Sequence, residues 1–284
     1  MSKKYNMKII FSPKCLEYSK QNHPESVERV KLAYEFLKNK YKFIEPEPAS
    51  KKYLLKVHGK DYVEKFEKGE FEGDIESPAF PNIYEYAKLS AGGAILAAKE
   101  NGFSLMRPPG HHAGINGKTS DASSLGFCYF NNIAIAVRSL GLPALIIDID
   151  VHHGNGTQEI FLGDKKVIFI SIHRKGIYPG TGRESKDNCY NFPLSMNTND
   201  EEYVRTLDLA LNRVDLSKIK IVGISAGFDT FQKDSLTPFK LSLNAYLEIG
   251  KLIKKLELPL FCVLEGGYSK YLGHAIHNLV KGLE

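Results

Sequence analysis

The sequence has few cysteines for its 284 residues, and the four are widely spaced with no Cys-x-x-Cys pair. This spacing argues against a disulfide framework and against a thiolate metal site, and it favours reduced thiols. No apolar run approaches the length that spans a membrane, and the run near the amino terminus is too short for a signal peptide. We therefore expect a cytoplasmic protein with no membrane partner.

The sequence also lacks a basic stripe, a linker, a low-complexity tract and an internal repeat. Its formal net charge is +5, but the lysines are interleaved with acids, as in Glu64-Lys65 and Glu67-Lys68, which is typical of a solvated surface. We therefore expect no nucleic-acid partner. The absence of a linker predicts a single domain over residues 1–284, and the sequence leaves the oligomeric state open.

What the sequence does contain is a series of short apolar segments rich in β-branched residues. They predict buried parallel strands at Ile9–Phe11, Phe103–Met106, Ala144–Ile149, Val167–Ile172, Ile219–Ile224 and Leu260–Leu264. Helical spacing of apolar residues runs between them, for example after Asp200, which we expect to be an N-cap. Alternating strands and helices predict an α/β fold with a central parallel sheet.

Polar residues that can carry out chemistry follow five of the predicted strands. They are His111-His112, the stretch from Asp148 to His153, Ser171 with His173, Asp229, and Glu265 with Tyr268. Ligands of an open parallel sheet bind outside the carboxyl ends of its strands. We therefore expect these residues to meet at one rim of the sheet.

Two carboxylates and one imidazole in this group are predicted to bind a divalent metal ion. Asp148, Asp150 and His152 alternate along one strand end and so share a face. Buried carboxylates are costly unless a cation or hydrogen-bond donors compensate them. Asp150, His152 and Asp229 would leave coordination positions open for water and substrate, as in a catalytic zinc site. Fe(II) or Co(II) would suit the same ligands.

The remaining residues of the group suit acid–base catalysis. The tandem pair His111 and His112 is predicted to act as general base and general acid. Each imidazole needs a partner that fixes its tautomer, and Asp148 and Asn155 are candidates. Tyr268 follows two glycines and is predicted to donate a hydrogen bond to the oxyanion that develops on an amide carbonyl.

Taken together, these motifs resemble the histone deacetylase and acetylpolyamine amidohydrolase superfamily, in particular its class II-like members. The matching stretches are RPPGHHA, LGFCYFNN, DIDVHHGNG, PGTG, SAGFD and LEGGY, between residues 107 and 268, with HPESVERV before them. The resemblance implies the three-layer α/β/α arginase/deacetylase fold and zinc-dependent hydrolysis of an N-acetylated amine. It assigns zinc to Asp150, His152 and Asp229, and polarisation of the scissile carbonyl to Tyr268.

The resemblance further implies a potassium ion near Asp148 and Ser171, and a narrow tunnel for the acylated side chain. The tunnel positions are Gly126, Phe127, Tyr178, Leu236 and Gly267. Tyr178 stands where many relatives carry Phe, which adds a polar edge. Leu236 stands where a polyamine-specific relative carries Glu.

Leu236 favours an acetyl-lysine peptide as substrate, with an acetylpolyamine as the alternative. Glu76 falls near a position where an acid binds the substrate backbone in some relatives, and it could equally be a solvated loop residue. A dimanganese amidinohydrolase is a more distant reading, because such enzymes carry Asp-x-His-x-Asp where this chain has Asp-x-Asp-x-His. A metal-bound ligand-binding protein without turnover is the non-enzymatic alternative.

Overall fold

The computed structural model describes residues 5–236 and 239–284. Its strands are β1 (Ile9–Ile10), β2 (Phe43–Ile44), β3 (Phe103–Ser104), β4 (Ala113–Gly114), β5 (Gly117–Lys118), β6 (Ala144–Asp148), β7 (Val167–Arg174), β8 (Cys189–Leu194), β9 (Ile221–Ala226) and β10 (Leu260–Leu264). Its α-helices are α1 (Val27–Leu37), α2 (Lys51–Leu54), α3 (Lys60–Glu67), α4 (Ile83–Glu100), α5 (Asn132–Leu140), α6 (Asn155–Phe161), α7 (Asp200–Leu211), α8 (Leu243–Lys254) and α9 (Leu272–Leu283).

Eight of these strands form one sheet in the order β2-β1-β3-β10-β9-β6-β7-β8. Every neighbouring pair in it is parallel. Strands β4 and β5 form a separate antiparallel pair. The parallel sheet confirms the predicted fold class and places the carboxyl ends of its strands along one rim.

Helices cover both faces of the sheet because successive strand residues point to opposite sides. Ile147 and Ile224 pack in one hydrophobic core with α1, α7, α8 and α9. Ile146 and Phe261 pack in a second core with α2, α3, α4, α5 and α6. The result is the expected three-layer α/β/α arrangement. None of the helices in the described ranges combines the length and apolarity that crossing a bilayer requires.

The predicted strands are present, but neighbouring strands decide where they end. Strand β9 begins at Ile221 and reaches Ala226, in register with β6 and β10, whereas the sequence predicted Ile219–Ile224. Strand β7 continues to Arg174 because its last residues pair with β8. Strand β8 was not predicted. It contains Pro193 and lies at the sheet edge, where a strand tolerates proline.

The predicted N-cap of α7 was wrong by one residue. The Asn199 side chain caps the helix by accepting a hydrogen bond from the Glu202 backbone N–H. Asp200 is the first helical residue, and its carboxylate accepts a hydrogen bond from the Ser242 backbone N–H at the start of α8. Asp200 therefore connects two helices, a role that no local pattern indicates.

Candidate active site

Asp150, His152 and Asp229 come together where the chain leaves the adjacent strands β6 and β9. His152 Nδ1 lies 3.0 Å from Asp150 Oδ1 and 3.1 Å from Asp229 Oδ2. One ligand atom from each residue lies within 4.8 Å of the others, and both carboxylates are buried. The predicted metal ligands therefore form one cluster.

The hydrogen bonding of this cluster fits a bound cation. Asp229 Oδ1 accepts a hydrogen bond from the Val151 backbone N–H, whereas Asp229 Oδ2 is enclosed and has His152 Nδ1 as a neighbour at 3.1 Å. Burial and the charge of Asp150 raise the pKa of Asp229 to about 7. Burial opposes a charge on His152, but the two carboxylates outweigh it and raise its pKa to about 10. The cluster thus favours positive charge, and its oxygen and nitrogen donors suit zinc.

The tandem histidines have the two partners that the sequence predicted. His111 Nδ1 lies 2.8 Å from Asp148 Oδ2, and His112 Nδ1 lies 2.6 Å from Asn155 Oδ1. Burial opposes a charge on His111, but Asp148 outweighs it and raises the pKa to about 10. Burial and the neighbouring His111 charge lower the pKa of His112 well below its usual value. The pair therefore combines a charged and a neutral imidazole.

Tyr268 reaches the site because the residues before it are glycines. A Cβ atom at Gly266 would lie 2.5 Å from Asp229 Oδ2 and 2.6 Å from Asp150 Oδ2. Only glycine therefore fits beside the carboxylates. Gly267 has a φ of 116°, a conformation that other residues rarely adopt. The Tyr268 backbone N–H then donates to the Asp234 carboxylate over 2.6 Å, which holds the turn.

Sequence reasoning missed a buried ionic network that joins the histidine and tyrosine segments. Glu25 accepts hydrogen bonds from Arg107 Nε at 2.7 Å and Arg107 Nη2 at 2.6 Å, and from Arg29 Nη1 at 3.2 Å. Arg29 Nε also donates to the Gly267 carbonyl over 2.7 Å, and its guanidinium lies over the Tyr268 ring. The presence of these charged residues within the matching motifs was the available signal for the network. Which of them pair could not be predicted, because the partners are far apart in the sequence.

Glu265 is a second residue whose role the sequence did not indicate. Its Oε2 accepts hydrogen bonds from the backbone N–H groups of Gly110 at 2.7 Å and His111 at 3.1 Å. Its Oε1 accepts one from the Ser225 hydroxyl. Burial raises the pKa of Glu265 to about 7. Glu265 thus supports the turn that carries the histidine pair.

A cavity of about 350 Å³ leads from the surface to this cluster. Four of the predicted tunnel residues line it: Gly126, Phe127, Tyr178 and Leu236. Gly267 is not among the residues that line it. Its neighbours Gly266 and Tyr268 face the cavity, whereas the Gly267 carbonyl points to Arg29. The lining also includes His23, Pro24 and Glu76 at the mouth.

The residues predicted to bind potassium lie on paired strands. Asp148 and Ser171 are directly opposite each other in β6 and β7, and both are buried. The Ser171 hydroxyl lies 2.9 Å from His173 Nδ1, and Asp148 Oδ1 accepts a hydrogen bond from the Asp150 backbone N–H. The structure therefore brings the two residues together, and Asp148 also contacts His111.

Comparisons with known proteins relate this arrangement to one family. The family model described as histone deacetylase domain matches residues 23–283. A protein of Archaeoglobus fulgidus described as a probable deacetylase is 35% identical, over 92% of this chain and 81% of its own length. The acetylpolyamine amidohydrolase of Mycoplana ramosa is 33% identical, over 73% of this chain and 65% of its own length.

Solved structures agree with the sequence comparisons. The crystal structure of the HDA15 HD domain has a TM-score of 0.86 and 29% sequence identity, and the match covers 98% of this chain and 88% of that one. An acetylpolyamine aminohydrolase from Burkholderia pseudomallei has a TM-score of 0.87, with 97% and 98% coverage. Its identity is 23%, so it supports the fold alone.

Proposed function

This chain belongs to the histone deacetylase family and is a deacetylase of N-acetylated amines, and we propose that it is a zinc-dependent enzyme that prefers acetyl-lysine. One observation carries the proposal. The donor atoms of Asp150, His152 and Asp229 cluster beside a cavity that His152 lines together with His111, His112 and Tyr268.

Asp150, His152 and Asp229 would hold the ion. Zinc bound there would polarise an amide carbonyl and lower the pKa of water. Fe(II) or Co(II) would suit the same ligands. The carboxylates Asp150 and Asp229 also need a positive partner in this buried position, because two unpaired charges would be costly.

His112 suits the role of general base. Its Nδ1–H donates to Asn155 Oδ1, which leaves the lone pair on Nε2 free to accept a proton from the attacking water. Asn155 is held in turn by Thr119, whose hydroxyl accepts a hydrogen bond from Asn155 Nδ2 over 2.7 Å. An amide partner does not favour the charged form as a carboxylate does, so His112 stays neutral until it accepts that proton.

His111 suits the role of a charged donor. Its carboxylate partner Asp148 favours the imidazolium, which places positive charge beside the reacting carbonyl. The histidine pair then returns a proton to the departing amine nitrogen, and acetate and a free amine result. Asp148, together with Ser171, would also hold potassium, in keeping with the family resemblance.

Tyr268 suits the role of hydrogen-bond donor to the oxygen of the scissile amide. Burial raises the pKa of Tyr268 well above its usual value, so its hydroxyl keeps its proton. The ring lies edge-on to Phe127, with centroids 5.8 Å apart, which orients it along the cavity wall. Negative charge that develops on the amide oxygen would therefore meet a fixed donor.

The cavity lining supports acetyl-lysine as the preferred substrate. Phe127 and Tyr178 present rings to a passing alkyl chain, and Leu236 lines the mouth where an acid would favour a polyamine. An acetylpolyamine stays a second candidate because the Glu76 carboxylate also lines the mouth and could pair with an ammonium group.

A side-by-side assay of acetate release tests these proposals. Catalytic efficiency should be higher for an acetyl-lysine peptide than for acetylputrescine or acetylspermidine, and the reverse order would overturn the substrate preference. Elemental analysis should find one transition-metal ion per chain, whereas two manganese ions would favour the amidinohydrolase reading.

Tyr268→Phe tests the enzymatic mechanism itself. The substitution should lower kcat by about 100- to 1,000-fold, because it removes one donor to the developing oxyanion. Metal content should not change, since the hydroxyl is not one of the clustered ligand atoms. If the unchanged protein released no acetate from any acetylated amine, the ligand-binding alternative would be correct.

A further inference from the structure

Three separate chain segments meet at the mouth of the cavity. They contribute Glu76 from the loop before α4, Gly126 and Phe127 from the segment before α5, and Tyr178 from the loop after β7. The Tyr178 ring packs edge-on against His112, with centroids 4.9 Å apart. A Cβ at Gly126 would come within 2.9 Å of that ring, so the glycine permits the close approach.

Ser124 links these segments by hydrogen bonds. The Tyr178 hydroxyl donates to the Ser124 carbonyl over 2.9 Å. The Ser124 hydroxyl donates in turn to Glu76 Oε2. Ser124 therefore connects the Tyr178 phenol to one oxygen of the Glu76 carboxylate: its carbonyl is held by Tyr178, and its hydroxyl holds Glu76.

Hydrogen bonds also hold the backbone around Glu76 in place. Asp74 Oδ1 accepts hydrogen bonds from the Glu76 and Ser77 backbone N–H groups, at 2.9 and 2.7 Å. Asp74 Oδ2 accepts one from the Leu125 backbone N–H at 2.7 Å. His23 Nε2 lies 2.9 Å from the Glu76 carbonyl oxygen. These contacts hold the backbone, and the hydrogen bond from Ser124 fixes the direction of the Glu76 side chain.

Glu76 Oε1 accepts no hydrogen bond from residues 5–236 or 239–284, in contrast to Oε2. Because Glu76 lines the mouth, Oε1 is available to a donor on a substrate that extends beyond the cavity. A carboxylate that is held in advance binds such a donor with a smaller loss of side-chain entropy. The orientation of Glu76 therefore affects binding only of substrates that reach it.

We propose that Tyr178 is a specificity-determining residue, whose hydroxyl orients the Glu76 carboxylate through Ser124 to select substrates with an N–H donor beyond the tunnel. An acetyl-lysine within a peptide has such donors, whereas a simple N-acetylalkylamine does not. This inference rests on the proposed deacetylase function. Tyr178 acts through Ser124 and Glu76, so it is a positioning residue.

Tyr178→Phe tests the inference because it removes the hydroxyl and keeps the ring. We would measure kcat and KM for an acetyl-lysine peptide and for N-butylacetamide, which has the same amide and four-carbon stem and ends there. The ratio of the two catalytic efficiencies should shift against the peptide by about three- to tenfold, as expected for one neutral hydrogen bond. The shift should appear in KM for the peptide and not in kcat.

Two further variants separate orientation from a general structural effect. In a Glu76→Ala background, adding Tyr178→Phe should not change the ratio of catalytic efficiencies further, because the carboxylate that the Tyr178 hydroxyl orients is absent. Tyr62→Phe is the matched control. The Tyr62 hydroxyl is buried and donates to the Tyr129 carbonyl over 2.7 Å, away from the cavity, so its loss should not alter the ratio.

An unchanged ratio in Tyr178→Phe would overturn the inference. So would a shift of equal size in the Glu76→Ala background, because the hydroxyl would then act independently of the carboxylate. These results leave the deacetylase assignment intact, since both substrates are still turned over. If the unchanged enzyme released acetate from neither substrate, the proposed function would fail and this inference with it.

Discussion

At Asp229, the two oxygens of one carboxylate have different surroundings. Oδ1 accepts a backbone hydrogen bond, while Oδ2 is buried beside Asp150, with His152 Nδ1 3.1 Å away. An oxygen in that position costs free energy unless a cation binds it. The chain therefore tolerates an unfavourable buried charge that becomes favourable when metal binds, which couples metal binding to stability.

Asp229→Asn tests this coupling at the residue scale. Groups that only orient metal ligands typically change affinity by about 10- to 100-fold, so loss of a charged ligand should weaken zinc binding by more than that. Bound zinc per chain, measured after dialysis, and acetate release should fall together. Asp121→Asn, at an exposed carboxylate, is the control. Full zinc occupancy in Asp229→Asn would contradict the assignment.

At the scale of single elements, α7 shows how a helix start is shared between neighbouring residues. Asn199 caps the helix, three acids fill its first turn, and Asp200 binds the start of α8. Acids there also interact favourably with the positive end of the helix dipole. The local pattern thus predicts the start of α7 to within one residue. Only the contact with α8 shows that Asn199 caps the helix while Asp200 binds the neighbouring helix.

Asn199→Ala should lower the free energy of unfolding by about 1 kcal/mol, because it removes the acceptor for the Glu202 backbone N–H. Denaturant unfolding measures this effect. Asn199→Ser should retain most of the stability, since serine is also a good N-cap. Equal stability of the alanine variant and the unchanged protein would show that the cap contributes nothing.

At the scale of the whole molecule, His58 joins segments that are far apart in sequence. Its Nδ1 lies 2.9 Å from the Gly114 carbonyl oxygen, and its Nε2 accepts a hydrogen bond from the Asn131 backbone N–H, also at 2.9 Å. The Nδ1–H can donate to the carbonyl in either charge state, but the Nε2 contact requires the neutral ring. Burial lowers the pKa of His58 from 6.5 to about 4, against the effect of its backbone hydrogen bonds. The contacts by which His58 connects the α2–α3 loop to β4 and to the start of α5 are therefore sensitive to pH.

The sign of this effect follows from proton linkage. Between pH 6.5 and 4 the unfolded chain binds a proton at His58 that the folded chain does not, so stability falls as pH decreases. The contribution of neutral His58 to the free energy of unfolding is fully present above pH 6.5. At pH 4 about 3 kcal/mol of it is lost. The difference in unfolding free energy between the unchanged protein and His58→Gln should therefore shrink from pH 7.5 to pH 4.5. A constant difference would contradict the role of His58.

Most of the candidate site was predictable because its residues stand in short motifs at strand ends. Asp150 and His152 are two residues apart, and the His111-His112 pair and Tyr268 each follow a turn with glycine. Parallel strands bring such ends to one rim, so clustering follows from the predicted fold. Strand β8 and the cap of α7 were less predictable, because an edge strand and a helix start depend on neighbours.

The sequence by itself determined the layer order, the parallel sheet and the identity of the residues that meet around the proposed metal site. Only the tertiary structure decided which of two adjacent glycines faces the cavity, and that Glu25 binds Arg107, which is 82 residues away. The reason is physical. Periodicity and turn chemistry act over a few residues, whereas hydrogen bonds and ion pairs between distant segments form only when packing brings their atoms within about 3 Å.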